Sequence, residues 1–91
     1  MVCRVQSEVF DAGAELNAFA AGRRDIGAVV TFTGVVRDTG GDLHHLEIEH
    51  YPGMTLAALE KIEAEAVARW KLGDSLIIHR YGALAVGAQI M

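Results

Sequence analysis

The chain has 91 residues, a net charge of −4 and 52% hydrophobic residues, so it has room for one domain, spanning 1–91, with little core to spare. There is no lysine- or arginine-rich run, and the only adjacent basic pair, Arg23-Arg24, reads as a solvated helix end next to Asp25, which disfavours a nucleic-acid binder. No apolar run approaches the ~20 residues of a membrane span, so no membrane role is expected. The single cysteine, Cys3, has no internal disulfide partner and fits a reducing, cytoplasmic setting.

Val2 to Gln6 alternates loosely and reads as a first strand, with Cys3 as a structural thiol rather than a nucleophile. Asp11 is a fitting N-cap for a short helix carrying Ala14, Leu16, Phe19 and Ala20, and Gly22 is a natural stop. Ile26 to Arg37 is rich in valine, threonine and phenylalanine and reads as a second strand. Its first half, GAVVTF, is apolar on both faces, which predicts a central position. The stretch DTGGD predicts a turn, and Leu43 to Tyr51 alternates again, with His45, Glu47, Glu49 and Tyr51 on one face. The two strands together predict a β-hairpin.

Thr55 is the expected cap of a helix from Leu56 to about Lys71, ended by Gly73. Leu59, Ile62, Ala66 and Trp70 form its predicted apolar stripe, with Glu60, Glu63 and Arg69 largely outside it and Glu65–Arg69 as an i,i+4 pair. SLIIHRYG reads as another strand, ALAVG as a turn region, and AQIM as the start of one more strand, in a βαββαβ-like order. His79 and Arg80 alternate across their strand, so one should pack or pair and either could line a pocket.

Three constellations carry little chemistry. His45, Glu47 and Glu49 share a face, but one strand cannot supply the converging ligands of a tight metal site. Ser75, His79 and Asp74 lack a nucleophile-elbow pattern. Gly40-Gly41 fits neither the P-loop nor the dinucleotide spacing, so no cofactor is expected. Arg37 is different, because a guanidinium at a strand end before a glycine turn can hold a phosphate or carboxylate with two parallel bonds. It is either a solvated edge or an anion hook.

The stretches GAVVTFTGVVRD, LEIEHYPGMTLAALEKIEAEAVARW and IIHRYGAL together resemble the large, catalytic subunit of molybdopterin synthase, over about Ile26 to Met91. The resemblance implies an α+β fold, an α/β hammerhead with added antiparallel strands, incomplete at the C-terminus. It implies a sulfurtransferase of molybdenum cofactor biosynthesis that inserts two sulfurs into cyclic pyranopterin monophosphate. The sulfur arrives as a thiocarboxylate on the C-terminal Gly-Gly of a small ubiquitin-like subunit, and the large subunits form a homodimer with one small subunit at each end. By position, Val35, Val36 and Arg37 match the family's substrate-contacting strand end, with Arg37 as the phosphate clamp and lysine common where Val35 stands. The family's principal catalytic lysines lie beyond Met91, and neither Lys61 nor Lys71 matches one, so these 91 residues alone are expected to show little or no turnover. The alternative is a shortened, non-catalytic paralogue serving as a dimerisation or partner-binding module.

Overall fold

A computed structural model describes residues 1–38, 45–51 and 53–91, with the side chain of His45 outside the description. Strand β1 (Val2–Gln6) is followed by helix α1 (Ala12–Ala20). Asp11 caps α1 as expected, its Oδ1 accepting from the Ala14 amide at 3.0 Å. The chain leaves the helix through Gly22, whose φ of 71° suits a residue without a Cβ. Arg23 is not a solvated helix end: it is half-buried, donates to the Phe19 carbonyl at 2.8 Å, lies over the Phe19 ring and pairs with Asp74.

Strand β2 (His45–Ile48) leads to helix α2 (Met54–Trp70), then to β3 (Leu76–Arg80) and β4 (Gly82–Ala85). The predicted hairpin is absent among the described residues. β2 pairs antiparallel with β4, setting Leu46 opposite Leu84, the most deeply buried apolar side chain among the described residues. That apolar cross-strand pair outweighs sequence proximity. The predicted turn over 38–42 lies, beyond Asp38, outside the described residues. ALAVG is likewise corrected, since β4 occupies most of it.

The first and third strands pair in parallel, from Val2↔Leu76 to Gln6↔Arg80. The predicted strand over Ile26–Arg37 reduces to its last residues. Val35 bridges Gln89, with Val36 N–H donating to the Ala88 carbonyl at 2.9 Å and Ile90 N–H to the Gly34 carbonyl at 2.8 Å. The predicted start of a strand at AQIM is thus a true pairing segment. From 24 to 33 no backbone group bonds to another among the described residues, and a strand without a ladder partner is not a strand.

Helix α2 differs from its expected form at both ends and on both faces. Its N-cap is Gly53, at φ 79°, so Thr55 lies inside the first turn. It ends at Lys71 in the left-handed conformation, φ 53°, before Gly73 is reached. Its buried residue is Glu63, 4% exposed, whereas Ile62 and Trp70 of the predicted stripe are 59% and 66% exposed. The reason is polar: Glu63 accepts from the Cys3 thiol at 3.2 Å and from the Ser75 hydroxyl, tying α2 to β1 and to the entry of β3. Glu65 and Arg69 do not pair among the described residues, and the Arg69 guanidinium lies 5.0 Å from the Trp70 ring centroid. Among the described residues the buried apolar side chains are few: Val36, Ile78 and Leu84. The radius of gyration is 14.8 Å, against ~12 Å for a close-packed chain of this length.

Candidate functional site

Val35, Val36 and Arg37 sit where the C-terminal segment joins the sheet. The period of two turns Val36 inward, 3% exposed, and leaves Val35 half exposed and Arg37 exposed. Both backbone groups of Val36 are used, its N–H by Ala88 and its carbonyl by the Gly87 amide at 2.9 Å. Arg37 is therefore carried on a rigid joint while its own guanidinium makes no ion pair among the described residues. A guanidinium carries five donors in a planar fork, which suits a planar or tetrahedral oxyanion.

Arg80 is held quite differently. It is 8% exposed, and its guanidinium donates to the Ser7 carbonyl at 2.9 and 3.2 Å and to the Gln89 carbonyl at 3.1 Å. It is a structural tie, and the alternation expected of His79 and Arg80 holds. His79 faces a cleft of about 390 Å3 that it lines with His50, Tyr51, Tyr81, Glu49 and Thr55. The His50 and Tyr81 rings stack at 3.9 Å. Tyr51 donates its hydroxyl to Glu49, which raises the phenol's pKa. Sequence reasoning allowed His79 a pocket but missed His50, Tyr51 and Tyr81 beside it. The available signal was an aromatic residue directly following a histidine or the His-Arg pair at two strand ends.

The other constellations do not assemble. Ser75 serves Glu63, while Asp74 accepts from the N-terminal amine at 2.7 Å and from Arg23. The bond from the N-terminal amine, the Ser75 amide and Arg23 bring the Asp74 carboxyl down to about 2. Burial and the bond to Glu63 push the Cys3 thiol up to about 11, which suits a structural thiol. Glu47 and Glu49 are exposed on their strand and its exit, and no group of three metal-binding side chains occurs among the described residues. Lys61 and Lys71 are both exposed, on and just past α2.

The model of the MoaE protein family matches residues 5–91. The chain belongs to the MoaE family. The match reaches well into the N-terminal segment that the sequence motifs left aside. This MoaE chain is similar to a molybdopterin synthase catalytic subunit of Cereibacter sphaeroides, 54% identical over 87 residues that make up 96% of this chain and 60% of that protein. One from Pseudomonas aeruginosa is 50% identical over 93 aligned residues, 100% of this chain and 62% of that protein. The solved structure of molybdopterin cofactor biosynthesis protein E from Burkholderia multivorans superposes with a TM-score of 0.83 at 52% identity, covering 98% of this chain and 58% of that one. The MoaE chain thus shares the relatives' mixed helix-and-strand fold and spans about three-fifths of their length.

Proposed function

We propose that these 91 residues form one domain-sized part of a molybdopterin synthase catalytic subunit. The activity is sulfur transfer from the thiocarboxylated Gly-Gly end of a small ubiquitin-like subunit to cyclic pyranopterin monophosphate, in the cytoplasm and within a homodimer of large subunits. The observation that carries this reading is the family match over residues 5–91 together with about 50% identity to catalytic subunits from several bacteria.

Arg37 has the chemistry this reading needs. The substrate carries a cyclic phosphate, the incoming tail is anionic, and sulfur attack develops more negative charge, so a fixed cation lowers the barrier. Val35 lies on the same exposed side and borders the substrate, while Val36 contributes by anchoring the joint. The family's lysines, which protonate leaving groups, belong to the part of the relatives that this chain does not cover. The second reading is a non-catalytic dimerisation or partner-binding module.

The test supplies thiocarboxylated small subunit and pterin substrate to two proteins. One is the 91-residue chain; the other is the same chain extended with the unmatched part of the Cereibacter sphaeroides relative. Molybdopterin formation is expected only from the extended protein, and Arg37→Ala in it should weaken substrate binding by about 1.5–3 kcal/mol, the worth of a charged hydrogen bond. Binding of the small subunit by the extended protein without turnover would favour the second reading. Unaltered substrate affinity in the Arg37 variant would remove that residue from the site.

A further inference from the structure

Arg37 follows the last paired residue of its segment, and a turn holds that residue in place. The Ala88 N–H donates to the Ala85 carbonyl at 3.0 Å, closing a four-residue turn at the end of β4. Gly87 has a φ of 85° while Val86 is not among the residues with positive φ, which makes this a type II turn with Gly87 at its third position. The turn is rooted in the core, because β4 carries the buried Leu84. Two of its backbone groups reach across to Val36. The Gly87 N–H donates to the Val36 carbonyl and the Ala88 carbonyl accepts from the Val36 N–H, each at 2.9 Å. Among the described residues the pairing stops there, so Arg37 leaves the sheet with the residue before it clamped through both backbone groups.

A type II turn differs from a type I turn by a flip of its central peptide, and here that peptide carries the Gly87 N–H. An L side chain at position 87 favours the flipped form, since positive φ costs it about as much as one hydrogen bond returns. A Cβ at position 87 meets no atom within 4 Å, so conformation and not crowding makes glycine fit there. The flip turns the N–H away from Val36 and loosens the joint that carries the guanidinium. An oxyanion gripped by two parallel bonds needs that fork held still. We infer that the turn Ala85–Ala88, through Gly87, positions Arg37 and so sets its affinity for phosphoryl oxyanions. Gly87 is a positioning residue, acting through Val36. This deepens the reading of Arg37 as a phosphate clamp and rests on it.

The test titrates the 91-residue chain with inorganic phosphate and follows the Arg37 Nε–H resonance, assigned by its loss in Arg37→Ala. Gly87→Ala should weaken phosphate binding at Arg37 at least about threefold and speed hydrogen exchange of the Val36 amide by a similar factor, because only the clamped fraction binds well. Gly87→Asn should stay close to the parent, since asparagine tolerates this φ although its side chain is the larger. Val86→Pro suits the second position of the turn and should bind phosphate at least as tightly as the parent. A lowered unfolding temperature in Gly87→Ala with undiminished phosphate affinity of the folded chain is the mark of a role in stability alone, and it overturns the inference. So does equal weakening in Gly87→Ala and Gly87→Asn. An unaltered chain whose Arg37 does not respond to phosphate removes the clamp reading itself, and the inference falls with it. Should Gly87→Ala lose its fold, Val86→Pro decides the matter: faster Val36 exchange or weaker phosphate binding than in the parent overturns the inference.

Discussion

Replacing Arg80 is the most direct probe of what holds this fold together. Its guanidinium joins three segments remote in sequence: the exit of β1 through Ser7, β3 itself, and the C-terminal segment through Gln89. A hydrogen bond from a charged group is worth about 1.5–3 kcal/mol. The three bonds here end on only two acceptors, and Ser7 is exposed enough for water to replace one donor. Removing the charge also recovers part of the desolvation cost of burying it. Arg80→Met, which keeps much of the volume, should therefore destabilise the chain by about 2–4 kcal/mol, and Arg80→Lys by about 1–3 kcal/mol because an ammonium cannot reach both carbonyls. The assay is urea unfolding followed by far-ultraviolet circular dichroism, with the exposed Arg69→Met as a control expected within about 0.5 kcal/mol of the parent. A change of less than about 0.5 kcal/mol in Arg80→Met would refute the reasoning, since such a value is typical of a surface site.

The Glu63 cluster predicts that Glu63→Ala costs about 2–3 kcal/mol in thermal unfolding, because the Cys3 thiol and Ser75 hydroxyl both lose their acceptor. With its thiol pushed up from 9.0 to about 11, Cys3 should alkylate far more slowly at pH 8 than a free cysteine, and faster in Glu63→Gln. Since its folded value is the higher, the associated stability is present below pH 9 and lost as pH rises through about 11. Asp74 has the opposite sign: its carboxyl falls from 3.8 to about 2, so its contribution is present above 3.8 and lost as pH falls through about 2. An acid titration of stability should lose that component in Asp74→Asn, and the raised pKa of the N-terminal amine should return toward 8.0. Lys71 adopts φ 53° at the end of α2, so Lys71→Gly should stabilise the chain by roughly 0.5–1 kcal/mol in the same urea assay, with an unchanged or lower stability counting against strain at that position.

The sequence by itself determined the elements whose signals are local. β1 spans the residues its alternation predicted, α1 starts at the Asp11 cap, and β3 follows the run SLIIHRYG. The resemblance to a molybdopterin synthase subunit was also legible, because EHYPGMT and the following helix are a rare combination in one short stretch. Tertiary structure alone decided the partners. A period of two says which residues share a face but not which strand lies alongside, so β2 went to β4 and not to the neighbouring segment. The helical stripe misled for a related reason. Hydrophobicity ranks Ile62 and Trp70 above Glu63, but a carboxylate with a thiol and a hydroxyl waiting in the sheet is satisfied inside, and those two apolar residues stay exposed. For Arg37 the sequence supplied the residue type and its place at a strand end, while the fold decided that its neighbour Val36 is locked into the core. Local periodicity follows from the geometry of one element, whereas pairing and burial depend on what the rest of the chain brings to meet it.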